Sequence, residues 1–239
     1  MAHIQKFKRA QLGHMLAHYE RRTSPAHVQA GKTRLNYNLA ERVQPLGQMD
    51  FIKQRLGQVK VQNRKDVNMM CDCVVTAPKS LDSHDYKKFF KAVFKLLSDR
   101  YGKENVISAY VHMDEVTPHM HFAFIPITRD LKRGVDKVCA KDVVNRIDLQ
   151  TLHADLEADV SRFMGYHVEM LNGATKGGNK SIQELRAHTK EGLIDELLAT
   201  DVASINLIEE NERLKRRIEE LERKDRGRSF FDSMDDFER

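Results

Sequence analysis

The feature that most constrains the fold is a pair of strand-like segments joined by a short acidic loop. Residues 106–113 and 119–127 are rich in β-branched, aromatic and other apolar side chains, and the loop between them reads Asp-Glu-Val-Thr-Pro. Two such runs around a loop of this length are typical of an antiparallel hairpin. The sequence therefore predicts a hairpin, and with it an antiparallel sheet.

Three histidines mark this hairpin. Successive side chains on a strand face opposite ways, so His119 and His121 share one face, while the apolar residues at 120, 122 and 124 share the other. We expect the histidine face to be solvated and the apolar face to form the core. His112 ends the preceding strand, and the turn brings it opposite the other two histidines.

Three converging imidazoles predict a divalent metal site, because without a cation they would repel one another or stay unsatisfied. Imidazole suits Zn, Mn, Co, Ni or Fe better than Mg or Ca. Glu115 could complete the shell or orient a water or a nucleophile, and Asp114 is a weaker candidate for the same work. Three protein ligands leave positions open, which indicates catalysis rather than a structural site.

The rest of the chain predicts alternating helices and strands. A buried strand covers 67–76 and ends before Pro78, and a helix runs from Ser80 to Gly102. A second helix is expected at 141–164, a short strand at 166–171, and a glycine-rich loop at 172–179. We place the core domain at 1–178 and a helical tail at 179–239.

The tail carries a short heptad pattern. Leu207, Leu214 and Leu221 are seven residues apart, and Asn211 lies at a position of the kind that faces a partner helix in coiled coils. Two interpretations stay open: a parallel dimeric coiled coil, or one amphipathic helix that packs on its own domain.

The N-terminal third is basic. Residues 1–80 contain 14 Lys and Arg against 5 Asp and Glu, a net charge of +9, whereas the whole chain has +5. Such a concentration of positive charge favours a nucleic-acid partner. No stretch has the length of apolar sequence that a membrane helix needs, and the first residues do not resemble a signal peptide. We therefore expect a cytoplasmic protein without a membrane segment.

Phosphodiester chemistry fits both the metal site and the basic segment. It needs a metal to polarise a phosphate oxygen, an in-line nucleophile and guanidinium groups that hold the phosphate. The expected phosphate ligands are Arg21, Arg22 and Arg34, and the nucleophile is His18 or a tyrosine. An imidazole with a pKa near 6.5 is largely neutral and attacks without a dedicated base, whereas a phenol with a pKa near 10 needs activation.

Four blocks of this sequence resemble the MobV relaxases, the plasmid mobilisation and recombination (Mob/Pre) branch of the HUH endonucleases. The segment 112–121 resembles their third motif, and His-Tyr-Glu-Arg at 18–21 resembles their His-Asn-Glu-Arg motif, with a departure at Tyr19. Residues 35–39, Leu-Asn-Tyr-Asn-Leu, resemble a further block, and 100–105 resemble the segment before the histidine hairpin. The resemblance extends from about residue 5 to residue 165.

The resemblance implies a relaxase that nicks one DNA strand at an origin of transfer and remains attached to the 5′ phosphate. It implies a divalent metal, Mn or Mg in use, and single-stranded and hairpin origin DNA as partner. By this resemblance His18 is the nucleophile that forms a phosphoramidate, and Arg21 and Glu115 complete the catalytic set. The expected metal ligands are His112, His119 and His121, with Glu115 beside them. Tyr37 and Arg100 match positions that contact DNA, and to these we add Arg22, Arg34 and Asn36.

We thus expect an α+β fold: an antiparallel sheet with the histidine hairpin at its centre, helices packed on one face, and a C-terminal helical or coiled-coil tail that could form a homodimer. Three other functions are compatible with parts of the sequence. They are a rolling-circle replication initiator with the same metal hairpin, a metal-dependent hydrolase of small substrates, and a non-catalytic DNA-binding dimer.

Overall fold

The computed structural model describes residues 2–23 and 28–170, and Leu214 alone in the C-terminal part. The chain divides into two compact units, Met1–Ala174 and Thr175–Arg239. The predicted domain end at 178, the glycine-rich loop and the heptads lie outside the described residues. Leu214, the exception, is helical and 54% exposed.

A five-stranded antiparallel sheet forms the centre of the first unit. Its strands are β1 (Ala2–Lys8), β2 (Tyr37–Asn38), β3 (Asn68–Thr76), β4 (Val106–His112) and β5 (His119–Phe124), in the order β1-β3-β5-β4-β2. The hairpin β4–β5 pairs strands that are adjacent in sequence, and β1 and β2 are the two edge strands of the sheet. The predicted antiparallel sheet, with the histidine hairpin at its centre, is confirmed.

The two faces of β5 divide as the period-2 pattern predicts. Met120, Phe122 and Phe124 are fully buried and belong to one core layer, while His119 and His121 project to the other face. The expectation that the histidine face is solvated is wrong, since His121 is only 7% exposed and His112 is not exposed at all. A second core layer covers that face as well.

Helices pack on both faces of the sheet, not on one as expected. Helix α1 (Leu12–Tyr19) and helix α2 (Gln48–Gly57) cover the histidine face, and helix α3 (Tyr86–Tyr101) packs on the other. The reason is visible in α1: Leu12, Leu16 and Tyr19 recur at helical spacing and are all buried. This apolar stripe places the end of α1, with His18, over the histidines.

The predicted helix at 141–164 is broken in two. Helix α4 (Ala140–Val143) is separated from helix α5 (Arg146–Met164), because Asn145 accepts a hydrogen bond from the backbone N–H of Asp148 and so caps the new helix. Helix α5 ends at Gly165, whose φ of +87° is one that glycine adopts readily. It packs beside α3 on the face away from the histidines.

A small two-stranded sheet follows β5. Strands β6 (Ile127–Asp130) and β7 (Val135–Val138) pair antiparallel around a turn that contains Gly134, whose φ is +65°. The sequence predicts a strand that extends to residue 127, but β5 ends at Phe124, and Pro126 directly precedes the β6–β7 hairpin. Proline cannot donate to a strand ladder, so the break falls there.

The predicted strand at 166–171 is absent from its described part, residues 166–170. The backbone N–H groups of Val168 and Met170 instead donate to side chains of α5, namely Ser161 Oγ at 2.9 Å and Glu157 Oε2 at 3.0 Å. The segment therefore returns along α5 instead of joining a sheet. Within the described residues, no helix is both long and apolar enough to cross a membrane.

Candidate metal centre

The three histidines of the hairpin meet on one face of the sheet. His112 pairs with His119 across β4 and β5, and His121 follows two residues later on the same face. The centroids of the three rings are 5.0 to 5.2 Å apart in every pair. The convergence that the sequence predicts is therefore present in the fold.

Backbone carbonyls fix the proton position on two of these rings. His112 Nε2 lies 2.9 Å from Tyr19 O, and His119 Nδ1 lies 3.1 Å from Thr117 O. A carbonyl oxygen only accepts, so each of these ring nitrogens carries the proton and donates. His112 Nδ1 and His119 Nε2 are thereby left as lone-pair nitrogens, the form that binds a metal.

A buried carboxylate orients the third ring. His121 Nδ1 lies 2.7 Å from Asp72 Oδ2 on the neighbouring strand β3. This contact leaves His121 Nε2 as the free nitrogen, in the carboxylate–histidine arrangement that is common beside metal ions. Asp72 is fully buried and was not identified from the sequence, although an aspartate inside the apolar run Met-Cys-Asp-Cys-Val is itself a signal, since a buried charge needs a partner.

Burial keeps the rings of His112 and His119 neutral. Burial is the largest influence on the pKa of His112, which falls to about 3, and neighbouring histidine and arginine charges add to the decrease. The pKa of His119 is lowered for the same first reason, with the charge of His121 next. Neutral imidazoles are metal ligands, so the electrostatics suit a cation.

The ligand atoms form two overlapping groups. The atoms of His18, His112 and His121 lie within 4.8 Å of one another, and so do those of His112, Glu115 and His119. His112 Nδ1 and His121 Nε2 are buried and have no hydrogen-bond partner among the described residues. Buried nitrogens of this kind are satisfied by a coordinated cation, so the side chains present fit a divalent metal.

His18 lies at the end of α1, directly above this cluster. Its ring centroid is 5.4 Å from that of His112 and 5.1 Å from that of His121. Its pKa is lowered to about 4, first by burial and then by the charges of His121 and Arg21. A half-buried, neutral imidazole next to a candidate metal centre is chemically suited to nucleophilic attack.

Tyr19, the residue at which the first motif departs, is buried against His121, with its ring centroid 6.1 Å from that of His18. It is 1% exposed, its ring centroid is 4.9 Å from that of His121, and burial together with the charge of Asp72 raises its pKa far above the ordinary value. A buried phenol with a raised pKa is a poor nucleophile. The geometry thus favours His18 over Tyr19 as the nucleophile, a choice that the sequence left open.

Arg21 joins α1 to the hairpin loop. Its guanidinium donates to Asp114 twice, at 3.0 and 2.7 Å, and to Glu115 at 2.6 Å. Its backbone has a φ of +55°, the left-handed region that is uncommon outside glycine. One donor, Nη1, is buried and has no partner among the described residues. Arg21 therefore both positions Glu115 and keeps a donor available at the site.

Asp114 is the centre of a polar cluster under the loop. Besides Arg21, it accepts from Thr33 Oγ1 at 3.1 Å and from Asn36 Nδ2 at 2.8 Å, and Asn36 Oδ1 accepts from the backbone N–H of Met113. Burial alone would raise the pKa of Asp114, but these hydrogen bonds outweigh it and lower the pKa to about 2. Asn36, expected to contact DNA, holds the loop in place.

The other residues expected at the DNA lie in different places. Arg22 and Arg34 are exposed, whereas Tyr37 pairs opposite Val111 and packs against the core layer on the face away from the histidines. An aromatic side chain that the sheet does put on the histidine face, next to the cluster, is Tyr110, which pairs opposite His121. The sequence analysis missed it.

The structure does not bring Arg100 to this centre. It lies on α3, on the far side of the sheet, and its guanidinium donates to Asp148 and Asp155, each at 2.7 Å. Further donations go to the carbonyl of Asp148 and to Thr151. These contacts tie α3 to α5 and occupy most of its donors.

Comparison with known proteins agrees with this geometry. A family model described as "Plasmid recombination enzyme" (Mob_Pre) matches residues 1–188. The chain belongs to this family. A plasmid recombination enzyme of Bacillus thuringiensis is 32% identical over 182 residues, and a type 2 plasmid recombination enzyme of Staphylococcus aureus is 36% identical over 162 residues. These matches cover 73% and 61% of this chain, but only 39% and 36% of the relatives, so this family member spans about two fifths of their length.

Solved structures of the same family share the fold. One is the relaxase domain of MobM (MOBV; Mob_Pre) bound to origin-of-transfer DNA of plasmid pMV158, in a Mn-bound crystal form. It is 28% identical in sequence, with a TM-score of 0.66, and the match covers 79% of this chain and 98% of that one. A second Mn-bound crystal structure of the domain with the same DNA, at pH 4.6, matches with a TM-score of 0.65. The predicted resemblance to the MobV relaxases is confirmed.

Proposed function

We propose that this member of the family is a relaxase, a metal-dependent single-strand endonuclease and strand transferase that acts on origin DNA in the cytoplasm. The observation that carries the proposal is the nitrogen cluster of His18, His112 and His121, whose ligand atoms lie within 4.8 Å of one another. It combines a nucleophile with a place for a cation. The MobM domain, similar over most of this chain, is bound to both manganese and origin DNA.

The residues that would hold the cation are His112, His119 and His121, with Glu115 beside them. A divalent cation bound there supplies a Lewis acid that polarises a phosphate oxygen. Asp72 and two backbone carbonyls hold the three rings in the required tautomers. Mn and Mg are the proposed metals in use, and the nitrogen-rich donor set favours Mn.

His18 would carry out the covalent step. A neutral ring nitrogen donates its lone pair to phosphorus, a P–N bond forms, and the bond from phosphorus to the 3′ oxygen breaks. The 3′ oxygen leaves with the electron pair and takes up a proton, while the second ring nitrogen of His18 releases one to solvent. The 5′ phosphate stays on the protein, and attack by a 3′ hydroxyl reverses the step and joins a strand.

Arg21 and Glu115 would assist this step. The buried Nη1 donor of Arg21 is available to a phosphate oxygen, and its Nη2 fixes Glu115 next to His119. The exposed Arg22 and Arg34 would contact the backbone of single-stranded and hairpin DNA, and Tyr110 offers a ring for base stacking. A homodimer through the tail remains a proposal that rests on the heptads.

The decisive experiment uses the whole chain, Mn²⁺ and a supercoiled plasmid that carries the origin region of its own element. We expect relaxed circles with protein on the 5′ end. The adduct should be labile in acid and stable in alkali, since a P–N bond hydrolyses readily in acid, whereas a phosphotyrosine survives mild acid. His18→Ala should form no adduct. Its matched control is His14→Ala, which removes an exposed histidine one turn earlier on the same helix and should leave the adduct unchanged.

Two tyrosine variants test the competing nucleophiles. Tyr19→Phe and Tyr37→Phe should both retain the acid-labile adduct. An acid-stable adduct that disappears in either variant would overturn the assignment of His18. Specific DNA binding with no cleavage under any metal would instead identify a non-catalytic DNA-binding protein.

A further inference from the structure

Tyr19 contacts two of the three metal-centre histidines. Its backbone carbonyl accepts the Nε2–H of His112 at 2.9 Å, and its ring packs on His121 with the planes inclined by 38°. It thereby links α1, which carries His18, to both strands of the histidine hairpin. At 1% exposure, its side chain is inaccessible to a DNA strand.

The Tyr19 ring and the Asp72 carboxylate both contact His121. Tyr19 Oη and Asp72 Oδ1 are both buried, and neither has a hydrogen-bond partner among the described residues. The other oxygen, Asp72 Oδ2, accepts from His121 Nδ1. Burial raises the pKa of Tyr19 most, and the charge of Asp72 raises it further. A neutral phenol has one proton to donate, and Asp72 Oδ1 is an unpaired acceptor against the same histidine.

We propose that Tyr19 is a positioning residue for the metal centre: its hydroxyl donates to Asp72 Oδ1 and holds that carboxylate in the orientation that fixes His121 for the cation. The chain Tyr19–Asp72–His121 determines the ring angle of His121 and leaves its Nε2 free. This inference rests on the proposed metal centre. Groups that orient a metal-binding histidine typically change metal affinity by about 10- to 100-fold when they are removed.

The size of Tyr19 suits this role. The phenol ring packs on the His121 ring, to which Asp72 on β3 also bonds. The shorter asparagine of the motif that this segment resembles has neither the ring nor the hydroxyl. The departure at position 19 is thus explained as a contact with the metal-binding face, not as a second nucleophile.

The test measures the affinity of the full chain for Mn²⁺ directly, by calorimetry and by the electron paramagnetic resonance signal of free Mn²⁺. Tyr19→Phe removes one oxygen and should raise the Kd about tenfold. The matched control is Tyr101→Phe, which removes another buried hydroxyl that donates to an aspartate, Asp148, at 3.0 Å on the far face of the sheet. Its Kd should stay within about twofold of the wild type, because it acts on no metal ligand.

A double-mutant cycle separates positioning from general loosening. If the hydroxyl acts through the carboxylate, adding Tyr19→Phe to Asp72→Asn should weaken Mn²⁺ binding no further than Asp72→Asn alone. A Tyr19→Phe protein that binds Mn²⁺ as tightly as the wild type would overturn the inference. So would fully additive effects in the cycle.

A measurement on the wild-type chain covers the case in which the variants do not fold. The hydroxyl proton of Tyr19 should exchange slowly with water and give its own NMR signal, since it is buried and bonded; the absence of such a signal would overturn the inference. Failure of the proposed function would look different, because the wild-type chain itself would then not bind Mn²⁺.

Discussion

Arg21 and Asp114 form a two-bond ion pair between the end of α1 and the loop of the histidine hairpin, with Nε–Oδ2 at 3.0 Å and Nη2–Oδ1 at 2.7 Å. Their side chains are 4% and 0% exposed. The same guanidinium reaches Glu115. One buried arginine thus fixes the distance between His18 on the helix and the histidines on the strands. The proposed reaction depends on this distance.

We predict that Arg21→Ala lowers the free energy of unfolding by about 3 kcal/mol, because it leaves the buried charge of Asp114 without its main partner. The control is Arg22→Ala, which removes an arginine that is 62% exposed and paired with Glu20 at the surface. Such exposed pairs contribute between about 0 and 1 kcal/mol. Urea denaturation of both variants measures the difference, and equal effects would show that the pair does not hold the loop.

The hairpin could be predicted because its information is local. Alternation of polar and apolar residues from 119 to 124 assigns each side chain to a face, and the short loop brings His112 across to them. The same rule shows where the prediction of DNA contacts was limited. Asn36 directly precedes the edge strand β2, and Tyr37 is its first residue. Asn36 nevertheless bonds to the hairpin loop, whereas Tyr37 packs on the core layer away from the histidines, and residue order alone does not distinguish these surroundings.

The contacts that orient the histidines could not be predicted, since they join residues far apart in sequence. Asp72 reaches His121 from another strand, and the carbonyl of Tyr19 reaches His112 from a helix on top of the sheet. The expectation of a wet histidine face failed for a related reason. The apolar stripe of α1 is present in the sequence, and its spacing indicates that the helix packs against a core. It does not indicate which face of the sheet the helix covers.

We predict that Mn²⁺ stabilises the wild-type chain and not His112→Ala, His119→Ala or His121→Ala. A ligand that binds only the folded state, at about 100 times its Kd, adds about 2.7 kcal/mol to the free energy of unfolding. Each alanine variant removes a ligand from a site that already has open positions, so it should lose this gain and also lose nicking. Thermal unfolding with and without Mn²⁺ measures the stabilisation by the metal. The control variant His14→Ala should retain this stabilisation. A wild-type preparation that nicks at its normal rate in excess chelator would contradict the metal requirement.

We predict that nicking persists at mildly acidic pH. As the proposed nucleophile, His18 would be reactive only when neutral, and burial with nearby positive charge lowers its pKa to about 4, below the ordinary 6.5. As the pH falls from 7 to 5, His18 therefore stays neutral and the rate should change little on its account. A single-turnover rate profile at saturating Mn²⁺ should reach half its maximum well below pH 6. A half-maximal rate near pH 6.5 would mean that His18 titrates as an ordinary exposed histidine.

Alanine substitutions at Arg34 and Arg100 should have opposite effects on stability and on DNA affinity. Arg100→Ala removes donations to Asp148 and Asp155 that join α3 to α5, and hydrogen bonds to charged groups contribute about 1.5 to 3 kcal/mol each. We expect a lower melting temperature and an affinity for a single-stranded origin oligonucleotide within about twofold of the wild type at a temperature where both are folded.

Arg34→Ala should have the opposite effects: unchanged stability and weaker DNA binding. The exposed guanidinium of Arg34 lies on the segment Ala30–Leu35, which leads into Asn36, and Asn36 donates to Asp114 of the hairpin loop. Stability should stay within about 0.5 kcal/mol. The dependence of log Kd on log salt concentration should become shallower by about one unit, the change expected when one phosphate contact is lost. The two variants carry the same loss of charge, so a general electrostatic effect would weaken binding equally in both. Binding that falls with Arg100→Ala alone, at unchanged stability, would restore Arg100 to the DNA interface and require that its aspartate contacts open when DNA binds.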